Sequence, residues 1–460
     1  MDIYTLYRNE HEYDDLNADS AVRHLSEAVR INTTSYMDTA KIDYPAFDEL
    51  HRKLQEWYPA IMKQGEYREI DYSILIRIQG SDPSLKPALF MAHQDVVPVV
   101  QGTEKDWLHG PFSGDVADGY IWGRGTLDIK NMLIAELESM EYLLAHGRKL
   151  RRTVYLAFGQ DEETVGTGAI QIARYLKEQQ VELEYVLDEG GRVGSGDAFG
   201  ADTAVGSIGM YEKGYADLKL SAESRGGHSS NPFNGTSLGA LAKAIAAIVD
   251  HPLENVLPEC AKETLRILTP YMHEGPFKEA VRDTEANEQE IIRLFLAHPD
   301  LNSQIHTTIA PTMISGGSQA GNVMPQHMEA VINFRLAPQD TDAGLLEHCR
   351  KLAGDDIKAE FIVANEASRQ SRFDTEGFRS LQQVLSHYFG DIVFVPSVNT
   401  TATDARSYEE ICDCCMRFGP FLEQEDIRAA GVHGTNERIS VRAYLQGIRV
   451  LISMMELTCL

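Results

Sequence analysis

The pattern of hydrophobic and polar positions between residues 72 and 188 alternates short apolar runs with stretches of helical periodicity. The apolar runs predict strands at Ser73–Ile78, Ala88–Met91, Thr153–Phe158 and Tyr185–Leu187. The helical stretches between them cover Ile129–His146 and Thr167–Lys177. Because strands alternate with helices, this part of the chain predicts an α/β fold with an open, mostly parallel sheet.

A different pattern begins near residue 214. It predicts strands at Tyr215–Ala222, Thr307–Ser315, Met328–Leu336 and Ile357–Val363, and helices at Ser237–Asp250 and Asp342–Leu352. A polar helical stretch from Glu259 to His298 interrupts this series. Without that stretch the order is βαββαβ, which is the ferredoxin-like α+β arrangement.

These two patterns predict two domains, one inserted into the other. Residues 1–213 and 369–460 form the first domain, which ends in a helix over Glu437–Glu456. Residues 214–368 form the second domain, inserted into the first, with a helical insert at about 252–302.

Composition narrows the classes of protein and partner. The 460 residues carry 42 basic and 69 acidic side chains, a net charge of −27, which disfavours nucleic-acid and membrane partners. A hydrophobic content of 43% indicates a globular chain, and six cysteines are too few for a secreted disulfide framework. The N-terminus lacks the basic and apolar regions of a signal peptide, so we expect a cytoplasmic protein.

Histidines and acids occur just past the predicted strands or in loops that precede helices, and open α/β sheets form their sites at the carboxyl ends of strands. These residues are His93, Asp95, Asp128, Glu162, Glu163, Asp188 and His433. Carboxylates that converge in one cleft repel one another unless a cation is present. Histidine and carboxylate together suit zinc, and a two-zinc site needs roughly five protein ligands, one of them bridging. The chain therefore predicts two Zn²⁺ ions, for which Co²⁺ or Mn²⁺ could substitute.

Each of these residues also has a structural interpretation. His93 alone fits a hydrogen-bonded structural histidine, and Asp128 fits the N-cap of the helix that follows it. Glu162 and Glu163 alone fit a solvated acidic loop. The joint occurrence of five such segments in one chain favours the metal site. Adjacent Glu162 and Glu163 can point to opposite sides of an extended backbone, so one can bind metal while the other acts as a base.

Five segments, residues 91–98, 123–130, 158–163, 186–191 and 432–437, carry these side chains. In this order they resemble the metallopeptidase family that includes carboxypeptidase S, glutamate carboxypeptidase, aminoacylase and the amino-acid deacylases. The resemblance covers nearly the whole chain, and it implies that residues 1–213 and 369–460 are the zinc-binding catalytic domain and that residues 214–368 are a lid and dimerisation domain. It implies two zinc sites that share one carboxylate: Asp128 as the bridge, His93 and Asp188 in one site, Glu163 and His433 in the other. It also implies that Glu162 is the general base and that Asp95 orients His93.

The predicted lid carries further family-like segments. Residues 225–232 contain His228, which by resemblance helps to bind the substrate carbonyl oxygen, often across a dimer interface. Residues 316–325 and 333–335 contain Asn322 and Arg335, which by resemblance hold the substrate. Taken alone, Arg335 equally fits a surface residue at the end of a strand, although its fork geometry suits a free carboxylate.

Three other features are less specific. The segment Thr403–Arg406 resembles a family segment near the site, where substrate contact, support and packing are all open roles. Cys412, Cys414 and Cys415 suggest a metal clip, but they lack a second ligand pair at zinc-finger spacing, which favours ordinary thiols. His109 falls in a segment for which the resemblance implies a structural loop.

The resulting hypothesis is dinuclear zinc hydrolysis of the amide bond of a small peptide with a free C-terminal carboxylate. The alternative substrate is an N-acyl amino acid, because the helical insert resembles the carboxypeptidase S-like branch, which includes N-acyl amino acid hydrolases. A non-catalytic metal-binding protein on the same fold and a thiol-based module are the rivals from other classes. A homodimer through the lid domain is the expected assembly.

Overall fold

The computed structural model describes residues 2–232, 235–424, 427–428 and 431–460. Nine strands form one large sheet, in the order β1-β2-β6-β3-β7-β17-β9-β16, with β8 paired to β9. These strands are β1 (Gly65–Ile70), β2 (Ser73–Ile78), β3 (Ala88–His93), β6 (Val154–Gly159), β7 (Tyr185–Asp188), β8 (Arg192–Ser195), β9 (Ala204–Glu212), β16 (Ile392–Asn399) and β17 (Cys415–Arg417).

The centre of this sheet is parallel, and antiparallel pairs flank it. β6, β3, β7 and β17 run parallel to one another, whereas β1, β2 and β8 pair antiparallel with their neighbours. Every residue of β3, β6 and β7 is buried, as expected for parallel strands covered by helices. The predicted α/β class with a mostly parallel central sheet is confirmed.

Helices cover the large sheet. They are α1 (Ala18–Arg30), α2 (Tyr44–Trp57), α3 (Pro59–Gln64), α4 (Lys130–Ala145), α5 (Thr167–Glu178), α11 (Glu376–Tyr388) and α12 (Val441–Cys459). The predicted final helix starts too early, because Arg438–Ser440 forms a short strand, β18, on β5 (Tyr120–Trp122). The helix α12 then begins after Ser440, whose hydroxyl accepts a hydrogen bond from the Ala443 N–H at 3.0 Å.

The inserted lid has the predicted βαββαβ order. Its antiparallel sheet runs β12-β14-β10-β15, with β10 (Gly214–Glu223), β12 (Thr308–Gly316), β14 (His327–Leu336) and β15 (Ile357–Asn365). The helices α6 (Ser237–Asp250) and α10 (Asp342–Ala353) share an apolar core with this sheet. A separate two-residue ribbon pairs β11 (Gly227–His228) with β13 (Val323–Met324). The remaining strand, β4 (Val116–Ala117), pairs with β5.

The helical insert has three α-helices, α7 (Glu259–Leu268), α8 (Pro276–Ala280) and α9 (Glu288–Ala297). Although the sequence groups this segment with the lid, its apolar side chains pack around Phe199, Val205 and Val395 of the large-sheet domain. Within the part of the chain that the structure describes, no helix is long and apolar enough to cross a bilayer.

Candidate metal centre and active-site cavity

His93 lies at the end of β3 and is 1% exposed. Its Nδ1 is 3.0 Å from the carbonyl oxygen of Asp95. Because a carbonyl oxygen can only accept, the imidazole proton belongs on Nδ1, and Nε2 presents a lone pair. Three carboxylates surround Nε2, from Asp128 at 3.1 Å, Glu189 at 3.4 Å and Glu162 at 3.9 Å. A lone pair and three carboxylates around one point fit a cation.

Asp128 lies between two histidines. Its Oδ1 is 3.1 Å from His93 Nε2, and its Oδ2 is 3.0 Å from His433 Nε2. Burial opposes ionisation of this carboxyl, but the hydrogen bond that His433 donates holds the pKa of Asp128 below its ordinary value. A carboxylate whose two oxygens face different histidines can bridge two adjacent ligand sets.

The loop that carries Asp128 is held by Glu437, a residue for which the sequence predicts no role in the site. Glu437 Oε1 accepts hydrogen bonds from the N–H of Gly125 at 3.0 Å and of Leu127 at 2.8 Å. Its Oε2 accepts from Arg124 Nη1 at 2.6 Å, and both side chains are almost fully buried. The motif that contains His433 thus also supplies the anchor for the Asp128 loop.

Asp95 supports the acids on the opposite side of His93. Its fully buried carboxylate accepts the N–H of Glu162 on Oδ1 and the N–H of Glu163 on Oδ2, each at 3.1 Å. Ser35 donates to Oδ2 at 2.5 Å, and Oδ1 is 3.3 Å from His93 Nδ1. One carboxylate therefore orients both the histidine and the turn that carries the two glutamates.

Glu162 and Glu163 point to different histidines, as their adjacent positions predict. Glu163 Oε2 is 3.2 Å from His433 Nε2, whereas Glu162 Oε2 faces His93 at 3.9 Å. Burial raises the pKa of both carboxyls. The hydrogen bonds that His433 donates to the Asp128 and Glu163 carboxylates raise the pKa of His433 to about 10.

The structure places Glu189, rather than the predicted ligand Asp188, beside His93. Asp188 belongs to neither group of possible metal ligands among the described residues, and its Oδ1 accepts the Glu189 N–H and its Oδ2 the Ala405 N–H, each at 2.8 Å. Burial raises the pKa of Glu189 to about 8 and that of Asp188 to about 6. Two adjacent acids follow β7, and the sequence pattern does not distinguish which of them faces the cleft.

The donor set is electrostatically unbalanced without a cation. The cluster contains four carboxylates and two imidazoles. The carboxylates of Asp128, Glu162, Glu163 and Glu189 lie around His93, and His433 lies beside Asp128 and Glu163. With all four carboxyls ionised, the cluster would hold an excess of negative charge even if both imidazoles were protonated, and burial raises the pKa of Glu162, Glu163 and Glu189 accordingly. The residues present therefore fit one or more divalent cations.

A cavity of about 800 Å³ opens onto these acids. Part of its wall is apolar and comprises Leu127, Ile129, Met132, Phe421 and Val432. Another part is polar and includes the end of the helical insert, the last residue of β16 and the segment after it, namely Asp300, Ser303, Gln304, Asn399, Thr400 and Thr401.

The predicted lid residues lie outside this cavity wall within the described residues. His228 is exposed, and the ribbon of β11 and β13 brings it close to Asn322, whose carbonyl oxygen accepts the Ser229 N–H at 2.9 Å. The Arg335 guanidinium lies over the ring of Tyr215, 4.8 Å from its centroid. The single chain therefore brings His228 and Asn322 together but does not bring them to the acidic cluster.

The structure also places the three less specific features of the sequence, which are the segment Thr403–Arg406, His109 and the cysteine clip. Asp404 is buried, and burial raises its pKa beside Asp188 and His93. His109 contacts Asp115 at 2.9 Å and packs on Trp122, in a loop. The thiols of the clip are all buried, and the groups of possible metal ligands among the described residues contain no cysteine.

Comparison with known proteins places these features in a family. The model described as peptidase family M20/M25/M40 matches residues 89–457. "Probable carboxypeptidase S-like 2" of Dictyostelium discoideum is 34% identical over 434 residues, which cover 92% of this chain and 82% of that protein. The human N-fatty-acyl-amino acid synthase/hydrolase PM20D1 is 32% identical over 443 residues, covering 94% of this chain and 86% of the relative.

Solved structures show the same fold at low sequence identity. A metallo-carboxypeptidase of the M20 family from Sulfolobus solfataricus has a TM-score of 0.67 and 18% identity, covering 95% of this chain and 99% of its own. Human carnosine dipeptidase 1 has a TM-score of 0.62 and 17% identity, with 97% of both chains covered.

Proposed function

This chain belongs to peptidase family M20/M25/M40, and from that membership we propose that it hydrolyses the amide bond of a small peptide or an N-acyl amino acid. It is a metal-dependent peptidase or amidohydrolase. The observation that carries the proposal is the His93 lone pair, which faces three carboxylates at the edge of a cavity. A purely structural cluster would have no need for this excess of acid.

Two Zn²⁺ ions are the proposed cofactors, with Co²⁺ or Mn²⁺ as substitutes. Asp128 would bridge them, because its two oxygens face His93 and His433. His93 and Glu189 would complete one ligand set, and Glu163 and His433 the other. Bound zinc would supply electrophilic polarisation of the amide carbonyl and a lowered pKa for water.

Glu162 is the proposed general base. Its carboxylate lies in the cavity wall beside His93 and is not needed to complete either proposed ligand set. Burial raises the pKa of Glu162, so this carboxyl can accept a proton from the attacking water and return it to the departing amine. Asp95 fixes the Glu162 backbone through the hydrogen bond to its N–H.

The lid residues are proposed to act from a second copy of the chain or after closure. His228 would donate to the developing oxyanion, and Asn322 and Arg335 would hold the substrate carboxylate. Because none of them lines the cavity of the single chain in the described residues, a homodimer through the lid is the proposed assembly. The lid edge strand β12 exposes Met313 and Ile314, which supports pairing between lids.

The direct test is a mass-spectrometric panel of dipeptides and N-acyl amino acids, incubated with zinc-loaded protein. We expect hydrolysis of substrates with a free C-terminal carboxylate and slower hydrolysis of their amidated counterparts. Hydrolysis of dipeptides but not of N-acyl amino acids would favour the peptidase, and the reverse result the aminoacylase. A zinc-loaded protein that cleaves no member of either class would contradict the proposed function.

Metal content distinguishes Glu189 from Asp188. We expect Glu189→Gln to bind less zinc per chain after dialysis and to lose at least about 10²-fold in kcat/KM, since one ligand set loses its carboxylate. Asp188→Asn should retain both ions, because its oxygens accept backbone N–H groups instead. Elemental analysis with a turnover assay checks this. Loss of zinc from Asp188→Asn alone would restore the ligand role predicted from the sequence.

Glu437→Gln should weaken zinc binding without removing a ligand. The amide replaces the carboxylate that pairs with buried Arg124 and accepts three loop N–H groups, that of Asp128 among them, so Asp128 loses its fixed position. By analogy with partners that orient ligands, we expect about 10–100-fold weaker binding in a chelator competition. Glu104→Gln, at an exposed position, is the matched control. Equal zinc affinity in both variants would contradict this role.

A further inference from the structure

The helical insert is attached to the catalytic domain along its whole length. Leu265 and Phe295 are fully buried in the core that they share with Phe199, and the two phenylalanine rings are 6.1 Å apart. Thr264 Oγ1 donates a hydrogen bond to the carbonyl oxygen of Pro396 at 2.5 Å. The insert is therefore fixed relative to the large sheet.

Backbone hydrogen bonds add to this attachment. The Asp202 N–H donates to the carbonyl oxygen of Tyr271 at 2.9 Å, and the His273 N–H donates to that of Gly200 at 2.8 Å. Buried apolar contact and backbone hydrogen bonds together make this segment a part of the catalytic domain in space, although it lies within the lid in sequence.

The C-terminal end of the insert reaches the active-site cavity. Pro299, Asp300, Ser303 and Gln304 line the same cavity as Asp128 and the two adjacent glutamates. Strands β9 and β16 of the large sheet connect the insert with the cavity. Val205 and Val395 of these strands pack on the insert, and Ser207 and Ser397, two residues farther along, line the cavity.

Lys213 holds this end of the insert in position. Its ammonium is almost fully buried and donates to the carbonyl oxygens of Ser303 at 2.8 Å and His306 at 2.7 Å. Lys213 lies between the last residue of β9 and the first residue of β10, where the chain passes from the large sheet to the lid. The Lys213 ammonium, at the start of the lid, therefore holds the residues of the insert that line the cavity.

The cavity lining contains both polar and apolar side chains. The insert end is polar, and Arg192, in register with Ser207, lines the cavity without a carboxylate partner among the described residues. Met132 and Phe421 belong to the apolar part of the cavity lining. A free carboxylate is better accommodated by cations and amides than by an apolar surface, and an acyl chain is better accommodated by the apolar wall.

We propose that residues 299–304 form a specificity-determining wall that contacts the amino-acid half of the substrate and limits the size of its side chain. This inference rests on the proposed hydrolysis in the same cavity. Because the wall is fixed to the catalytic domain, its selectivity does not depend on the position of the lid. The acyl half lies away from the insert, along the apolar wall.

The test uses zinc-loaded full-length Gln304→Trp and Gln304→Ala with two substrate series. One series keeps an acetyl group and varies the amino acid from glycine to phenylalanine, and the other keeps glycine and lengthens the acyl chain. We expect Gln304→Trp to lower kcat/KM for phenylalanine relative to glycine by about 10-fold or more, and Gln304→Ala to raise this ratio. The acyl series should keep its wild-type ratios.

Gln289→Trp, at an exposed position on α9, is the matched control and should behave as wild type in both series. Calorimetric binding of the free products glycine and phenylalanine to each variant gives a readout that needs no turnover. Unchanged selectivity and unchanged product binding in both Gln304 variants would overturn the proposal, as would a change confined to the acyl series. Absence of wild-type hydrolysis would contradict the proposed function, while product binding would still test the wall.

Discussion

Glu162→Gln is expected to lower kcat by about 10²–10⁴-fold, the range that a positioned general base contributes. The substitution keeps the size of the side chain but removes the proton acceptor, and the proposed zinc ligands remain intact. Zinc content and KM should therefore stay close to those of the wild type. Steady-state kinetics on the best substrate of the panel, together with elemental analysis, measures all three quantities.

The matched control is Glu178→Gln, which makes the same change of charge at an exposed position near the end of α5. Near-normal turnover by Glu162→Gln would rule out the role of base. Loss of zinc together with activity would instead make Glu162 a metal ligand, which is the alternative role because Glu162 lies close to His93 and Glu189.

Arg417→Met is expected to lower the free energy of unfolding by about 3–5 kcal/mol, because it leaves a buried charge without its partner. Arg417 and Glu212 are both fully buried, and Arg417 Nε donates to Glu212 Oε1 at 2.6 Å. Thr403 Oγ1 donates to the same oxygen at 2.6 Å. This pair joins the end of β17 to the end of β9, beside the start of the lid. Urea denaturation measures the loss.

The double variant Arg417→Met with Glu212→Gln separates charge from packing. We expect it to regain part of the lost stability, since the fully buried Glu212 carboxylate is gone, while Glu409, 3.5 Å from Arg417, keeps the Arg369 N–H as a donor at 2.7 Å. Arg372→Met is the control, because its ion pair with Asp374 is exposed and should contribute no more than about 1 kcal/mol. If the double variant is no more stable than Arg417→Met, the loss comes from packing and the electrostatic explanation is wrong.

The regular elements with strong periodicity could be predicted from the sequence. The strand Ser73–Ile78 and the helix Ser237–Asp250 occur at the predicted bounds, because an apolar run or an Ala-rich helical pattern depends mainly on local chemistry. The start of the last helix could not be predicted, since Arg438–Ser440 pairs with a distant strand, Tyr120–Trp122. Pairing between strands so far apart in sequence leaves no local signal.

The same division holds for the site. The family-like motifs predicted His93, Asp128, Glu163 and His433 as ligands, and the structure brings each of these side chains within about 3 Å of a partner in the cluster. Of the adjacent acids Asp188 and Glu189, the sequence selected the one that accepts backbone N–H groups. Which of the two acids faces His93 depends on Ala405, more than 200 residues away in sequence, because its N–H donates a hydrogen bond to Asp188.

The sequence by itself determined the fold class, the order of the elements and the kind of chemistry, because periodicity and residue types are properties of short segments. Only the tertiary structure decided which acid faces His93, how Glu437 holds the Asp128 loop, and where the helical insert lies. Each of these depends on groups far apart along the chain that meet through burial and hydrogen bonding. The insert is the clearest case, since its neighbours in sequence are lid strands, whereas its apolar faces are buried against the large-sheet domain and its end forms a cavity wall.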